Sequence, residues 1–190
     1  MRHRLPRQAA DGQGQDQDQC RDQGHSDGHG YAEPVAGLTD ELAAVVTGAR
    51  RRALRDGDRQ IDTAHLLHAL LDSDPEARAV FGDGPQAARL LGYLVQRSIG
   101  YGLRWQGTVE DSGALPVVTG ATGWSPLAAG AMEEARARAE RRGETRARGI
   151  DLLAALVAAP DARAVEVLRR AGVDAEAVTG SVARRVAELA

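Results

Sequence analysis

Apolar residues recur at helical spacing along most of the chain from residue 38 onward. Leu42, Val45 and Val46 fall on one helical face, and a spacing of three and four residues is what an amphipathic helix shows. Thr39 precedes this run as a helix N-cap, and Gly57 follows it as a helix stop. The pattern therefore predicts a long first helix between these two residues.

Similar signals predict seven more helices, which makes the expected fold class all-α. Proline often stands just after a Ser or Asp cap, where its fixed φ suits the first helical turn. Only Leu115–Thr119 resembles a strand, and a short one. The predicted helix starts are Thr63, Asp74-Pro75, Gly84-Pro85, Ser125-Pro126, the residues just before Leu152, Pro160-Asp161 and Asp174.

The composition changes along the chain and divides it into four parts. Residues 1–35 are rich in Gly, Gln, Asp, His and Arg, and such a segment buries too little apolar area to offset its ordering entropy. Residues 100–123 are rich in Gly, Thr, Ser and Pro, which predicts a linker. We therefore expect a disordered tail over 1–35, a helical unit over 36–99, a linker over 100–123 and a second helical unit over 124–190.

The two helical units are similar in sequence. Shifting the chain by 86 residues aligns 38–71 with 124–157 as 34 ungapped pairs, of which eleven are identical. The pairs include Gly57 with Gly143 and a Leu-Leu-x-Ala-Leu block. Self-similarity at a fixed spacing indicates a repeated supersecondary unit, with chance similarity of Ala-rich helices as the alternative. The sequence thus predicts two pseudo-symmetric four-helix repeats.

Each repeat resembles that of the Clp amino-terminal (Clp R) domain, the substrate- and adaptor-binding module at the front of Clp AAA+ unfoldases. The Clp repeat opens with an aromatic-Thr pair, continues through a long helix closed by Gly, and has the block Ile-Gly-Thr-Glu-His before Leu-Leu-x-x-Leu. The resemblance covers about residues 35–190 and is closer in the first repeat. The corresponding residues are Leu38-Thr39, Gly57 and Ile61-Asp62-Thr63-Ala64-His65-Leu66-Leu67, then Trp124-Ser125, Gly143, Ile150-Asp151-Leu152-Leu153 and the ending Ala171-Gly172-Val173.

The resemblance implies a groove between the repeats where Clp domains bind adaptors and, in actinobacterial members, cyclic peptides. The positions that match the groove are Val35, Leu38 and Val46 in the first repeat and Trp124 in the second. An indole at a helix start can anchor a peptide. Trp124 can equally fill the seam between the repeats, and the sequence leaves both roles open.

One departure from the Clp pattern bears on the ligand. In Clp domains the Glu of Thr-Glu-His is implicated in holding the guanidinium of arginine-phosphorylated substrates, and a carboxylate suits this task because it pairs bidentately. Ala64 and Ile150 occupy those positions here. The resemblance therefore does not extend to phosphoarginine recognition.

The composition excludes several kinds of chemistry. All 24 basic residues are arginine, so the chain has no lysine for a phosphate-binding loop or a Schiff base. Cys20 is the single cysteine, which excludes an internal disulfide and a Cys-based zinc site. The sequence has no apolar run as long as the ~18 residues of a membrane span and no secretory signal. We therefore expect a cytoplasmic protein without nucleotide or other cofactor.

Candidate catalytic and metal-binding residues are few. His65 and His68 lie three residues apart on one predicted helix, a spacing open to metal binding or acid–base chemistry, but the Clp resemblance assigns His65 to the structural block of the repeat. His25 and His29, near Cys20, are surrounded by glycines. We expect packed or surface histidines, no bound metal, no catalytic residue and no enzymatic activity.

The expected function is that of a non-catalytic module that binds a protein or peptide, as an adaptor, a competitor for the partners of a Clp unfoldase, or a decoy that sequesters a peptide. The alternative is a helical nucleic-acid-binding regulator that uses the arginine-rich first helix. Acidic residues lie close to those arginines, the net charge is −3, and no aromatic residues are interleaved with them, which favours a solvated charged face. The arginines concerned are Arg50, Arg51, Arg52 and Arg55.

Overall fold

Eight helices account for most of the described part of the chain. The structure, a computed structural model, describes residues 37–82, 85–98, 110 and 123–188, without the side chains of 97 and 98. These residues all belong to one compact unit, Glu33–Ala190. The helices are α1 (Asp40–Asp56), α2 (Thr63–Ser73), α3 (Pro75–Ala79), α4 (Pro85–Ser98), α5 (Pro126–Arg141), α6 (Gly149–Ala158), α7 (Arg163–Arg170) and α8 (Ala175–Glu188).

The predicted all-α fold of two four-helix repeats is confirmed. Helices α1 to α4 lie in the first repeat and α5 to α8 in the second, and the described residues form isolated β-bridges but no strand. The predicted tail, Val35, the histidines at 25 and 29, and Leu115–Thr119 lie outside the described residues. The domain boundaries proposed from composition stay a prediction.

The first helix of each repeat is capped at its start in the same way. The Thr39 hydroxyl accepts a hydrogen bond from the N–H of Leu42 at 3.3 Å, and the Ser125 hydroxyl accepts one from Ala128 at 3.1 Å. These bonds satisfy N–H groups that lack a partner within the helix. Gly57 ends α1 with a φ of +74°, a conformation that a residue without Cβ adopts at little cost.

The predicted cap of α2 is wrong. Asp62, not Thr63, is the N-cap, because its carboxylate accepts the N–H of His65 at 2.8 Å. Thr63 is instead the first helical residue, and its hydroxyl accepts the N–H of Ala164 at the start of α7 at 3.0 Å. The hydroxyl therefore caps a different helix, α7, which lies too far along the chain for local sequence to reveal the contact.

Two short helices, α2 and α6, form the centre of the hydrophobic core. Every residue of α2 from Thr63 to Leu71 is buried, as is every residue of α6 from Gly149 to Val157. Helices that are apolar around their whole circumference are enclosed by protein, and here the longer, amphipathic α1 and α5 pack against them. The fully buried leucines of the repeated block are Leu66, Leu67, Leu70, Leu71, Leu152, Leu153 and Leu156.

Contacts between the repeats are reciprocal. Helix α2 packs against α5 and α7 of the second repeat, and α6 packs against the equivalent α1 and α3 of the first. Helices α2 and α6 also contact each other. The repeats thus pack as two halves related by a pseudo-two-fold axis, like the subunits of a symmetric dimer.

Candidate functional site

The repeats meet along a seam in which the start of each repeat pairs with the entry to the second helix of the other. Leu38 forms an isolated parallel bridge with Ala147, and Trp124 forms one with Ile61. Residues 38 and 61 align with 124 and 147 at the 86-residue shift. The two bridges are therefore the same contact, made twice.

Four backbone hydrogen bonds hold these bridges. Each bridge has two bonds, and the residues of one pair align with those of the other at the same shift. Buried backbone groups need such partners, so the bonds fix how the repeats are placed. The N–H groups that donate and the oxygens that accept are Thr39 to Ala147 (3.0 Å), Ala147 to Gly37 (2.8 Å), Ile61 to Gly123 (2.7 Å) and Ser125 to Ile61 (2.9 Å).

Three of the four predicted groove residues are described, and all three are buried. Leu38 and Trp124 lie in the seam, where Trp124 is 7% exposed, and Val46 is fully buried on α1. Val35 lies outside the described residues. Of the two roles that the sequence left open for Trp124, this burial favours that of a residue that fills the seam. A ligand-binding role for the four residues stays a prediction.

The positions that carry glutamate in Clp repeats are closed to solvent here. Ala64 on α2 and Ile150 on α6 are both fully buried. A carboxylate at either place would have to lose its hydration, which is costly without a paired charge. These two residues act as core side chains of the central helices.

A cluster of polar side chains surrounds His65 at the start of α2. The imidazole Nδ1 accepts a hydrogen bond from the N–H of Asp62 at 3.1 Å, which completes a capping box. Its Nε2 lies 3.3 Å from a carboxylate oxygen of Asp58 and 3.8 Å from one of Asp56. Buried His65 thus joins the end of α1 to the start of α2.

The equivalent place in the second repeat is built with different charges. Asp151 accepts two hydrogen bonds from the guanidinium of Arg142, at 2.6 and 2.8 Å, and one from the N–H of Arg148 at 3.0 Å. The Asp151 and Glu144 carboxylates raise the pKa of Arg142, and the hydrogen bond from Arg142 lowers the pKa of Glu144. The pair of Arg142 and Asp151 is bidentate and charge-assisted, and hydrogen bonds of this kind are stronger than those between neutral groups.

Asp58, Asp62 and His65 can each offer one ligand atom within 4.8 Å of the others, as a metal site requires. Both oxygens of Asp62 already have partners, however. One accepts the N–H of His65 at 2.8 Å, and the other accepts a guanidinium N–H of Arg163 at 2.9 Å. The geometry therefore fits a helix cap better than a metal centre.

His68, the second candidate for acid–base chemistry, faces the core from α2. Burial lowers the pKa of His68 from its usual 6.5 to about 4, and the nearby Arg52 adds to this effect. A neutral imidazole suits this place, and Ala154 occupies the equivalent position of the second repeat. The structure therefore places His68 as a packed histidine.

Glu110 is a buried residue that sequence reasoning did not identify. The residue is 4% exposed, and its carboxylate accepts hydrogen bonds from the N–H and hydroxyl of Thr63, the hydroxyl of Ser125 and the N–H of Arg163. It is the single described residue between 99 and 122. No local signal marks it, because its partners lie 15 to 53 residues away.

The arginine-rich face of α1 is partly neutralised by acidic side chains. Arg52 forms an ion pair with Asp72 on α2 at 2.7 Å, and Arg55 lies 3.4 Å from Asp56. Leu54, between these arginines, is 73% exposed. Pairing with carboxylates weakens the attraction of this face for phosphates.

A shallow surface depression of about 480 Å³ opens beside the Leu38–Ala147 bridge. Its lining combines a helix cap of the first repeat with charged side chains of the second. Arg146 lies at its rim, and its guanidinium is 3.6 Å from a carboxylate oxygen of Asp40 on α1. The lining residues are Thr39, Gly143, Glu144, Thr145, Arg146 and Arg148.

Comparison with solved structures identifies the fold. The chain is similar to the N-terminal domain of the caseinolytic protease associated chaperone ClpD from Arabidopsis thaliana, with a TM-score of 0.58 and 19% identity over 79% of this chain and 94% of that one. It is similar to the Hsp104 N-terminal domain from Candida albicans, with a TM-score of 0.57 and 11% identity over 76% and 88%. The chain has the Clp amino-terminal-domain fold.

A third chain with this Clp fold comes from a structural study of a malarial protein secretion system, with a TM-score of 0.54 and 16% identity over 78% of this chain and 94% of that one. No protein-family profile matches the sequence, and no curated protein matches it. The Clp fold is therefore recognised here through structure and through the repeat motifs. Among the described residues, no helix is both long and apolar enough to cross a membrane.

Proposed function

We propose that this chain is a non-catalytic module that binds proteins or peptides, as Clp amino-terminal domains do. The observation that carries the proposal is the doubled seam, with both bridges at the 86-residue shift, in a chain that spans 94% of the ClpD N-terminal domain. Binding modules of this kind act through a surface rather than a reactive centre.

The binding surface in this proposal is the mouth of the seam beside Thr39 and Arg146. Buried Leu38, next to Thr39 in the chain, fixes the position of this surface through its bridge to Ala147. The depression combines Glu144 with two arginines, so that it can bind backbone and polar groups of an extended segment.

The fluorescence anisotropy of labelled β-casein, an unfolded protein probe, tests the class of partner. The protein is titrated into labelled casein and, separately, into a labelled DNA duplex, each at about 50 and about 200 mM salt. Binding to phosphates weakens strongly over this range of salt. We expect saturable casein binding that changes little with salt and no comparable DNA binding. DNA binding with a steep salt dependence, in the absence of casein binding, would support the nucleic-acid regulator instead.

The role of the module is proposed to be that of an adaptor, a competitor for the partners of a Clp unfoldase, or a decoy that sequesters a peptide. The first two roles differ in their effect on a Clp unfoldase and protease that degrade labelled casein. An adaptor accelerates degradation, whereas a competitor slows it and is overcome by excess substrate. A chain that binds casein saturably and leaves the rate unchanged at saturating concentration is neither an adaptor nor a competitor, which leaves the decoy.

A further inference from the structure

Helix α7 lacks an N-cap of its own, and Glu110 supplies one. The residue before the helix is Ala162, whose side chain accepts no hydrogen bond. In the first repeat, the equivalent helix α3 is capped by Asp74, which accepts the N–H of Ala77 at 3.0 Å. The N–H of Arg163, the first residue of α7, donates instead to Glu110 Oε1 at 2.7 Å.

The same carboxylate also serves the start of α2. Its Oε2 accepts the N–H of Thr63 at 2.8 Å and the hydroxyl of Ser125 at 2.7 Å, while Oε1 accepts the Thr63 hydroxyl. Both hydroxyls already accept a helical N–H, from Ala164 and Ala128 respectively. Their protons therefore point to the carboxylate, and all four groups around it are donors.

We propose that the amino ends of α2 and α7, with the Ser125 hydroxyl, form a carboxylate-binding site whose ligand is Glu110. Aligned backbone N–H groups and positive helix ends favour an anion at this place. The carboxylate of Glu110, a residue only 4% exposed, accepts four hydrogen bonds there, which is the direct sign that the site binds one. A small free carboxylate, such as formate or acetate, takes its place when the Glu110 side chain is removed.

The two acceptor oxygens of Glu110 distinguish a carboxylate-binding site from a space that any side chain of the same shape would fill. Each carboxylate oxygen accepts one backbone N–H, from Thr63 and from Arg163. In Glu110→Gln the shape is kept, but the amide NH₂ then faces one of these N–H groups, donor against donor. An unsatisfied buried donor raises the unfolding equilibrium constant by about tenfold or more. Glu110→Gln is therefore expected to be clearly less stable than the parent, although it keeps more of the hydrogen bonds than Glu110→Ala does.

Chemical rescue tests the proposal. The urea midpoints of the parent, Glu110→Ala and Glu110→Gln are measured against rising sodium acetate or formate, with sodium chloride at equal ionic strength as the control. Glu110→Ala is expected to gain stability saturably, because ligand binding to the native state alone raises its stability. Glu110→Gln should gain nothing beyond the chloride control, since its side chain still fills the site.

The proposal is wrong if Glu110→Ala gains no more from acetate and formate than from chloride, or if all three proteins gain equally. Should Glu110→Ala fail to fold, Glu110→Asp and Glu110→Gln decide the question. Aspartate keeps the carboxylate and loses length, so the proposal requires Glu110→Asp to be the more stable of the two. Greater stability of Glu110→Gln would show that shape alone matters. The exposed Glu176→Ala serves as a surface control.

Discussion

His65 and Asp151 occupy the same position, the third residue of the second helix, in the two repeats. Each side chain accepts the N–H of the residue before its helix, at 3.1 Å for His65 and 3.0 Å for Asp151. Around them the charges differ, since Asp56 and Asp62 in the first repeat become Arg142 and Arg148 in the second. The capping geometry is thus the same in both repeats, whereas acidic residues around it in the first repeat are replaced by basic residues in the second.

Asp151→Ala is expected to destabilise the protein by about 3 kcal/mol, because it leaves the partly buried Arg142 without its bidentate partner. Denaturant unfolding measures the loss. Glu134→Ala is the matched control, since Glu134 pairs with Arg138 and Arg141 at the surface, and such pairs contribute less than about 1 kcal/mol. Equal effects of the two changes would show that the buried network adds nothing.

Stability should fall as the pH drops below 6.5 because of His68. The folded state keeps this imidazole neutral down to a pKa of about 4, whereas the unfolded state binds a proton near 6.5. Protons then favour the unfolded state between these two values. The contribution of His68 amounts to about 2 kcal/mol between pH 6.5 and about pH 5.

His68→Gln removes this titration and keeps a neutral polar side chain of similar size. Urea midpoints measured over the same pH range should therefore fall less steeply in the variant than in the parent. All other titratable groups are common to both proteins, so their contribution cancels in the comparison. Parallel curves would contradict the assignment of His68 as a buried neutral histidine.

Gly149→Ala is expected to cost about 2 kcal/mol. A Cβ at Gly149 would lie 1.8 Å from Asp74 Oδ2, so Asp74 would have to move and lose its bond to the N–H of Ala77. Gly180→Ala on α8 is the control, since a Cβ there meets nothing within 4 Å. That change should be neutral or stabilise by about 1 kcal/mol, and a Gly149→Ala variant as stable as Gly180→Ala would refute the contact.

Trp124→Ala is expected to destabilise the protein about as much as Leu67→Ala, by about 3 kcal/mol or more in each case. The reason is that Trp124 is nearly fully buried beside its bridge to Ile61. Denaturant midpoints of the two variants provide the measurement. A loss near 1 kcal/mol for Trp124→Ala, together with loss of casein binding, would restore the indole as a ligand anchor.

Local features of the fold could be predicted from the sequence. The starts of α1 and α5 follow from Thr39 and Ser125, because a cap and the helix it serves lie within three residues. The repeat register follows from the 86-residue shift, and the seam bridges obey it at the backbone level.

Long-range contacts explain what the sequence could not predict. The Thr63 hydroxyl binds Ala164, 101 residues away, so the local capping rule assigned it the wrong role. Glu110 acquires its partners only when α2 and α7 are already side by side. The burial of Trp124 likewise depends on the other repeat, through its bridge to Ile61.

Binding of labelled β-casein to the parent and to two charge-reversal variants tests the central claim most directly. Arg146 lines the depression at the seam, and Arg184 lines a separate depression between α3 and α8. We predict saturable binding by the parent and Arg184→Glu, with the dissociation constant of Arg146→Glu raised about tenfold, the equivalent of about 1.4 kcal/mol. No saturable casein binding by the well-folded parent would contradict a protein-binding module, and equal affinity of all three proteins would contradict its placement at the seam.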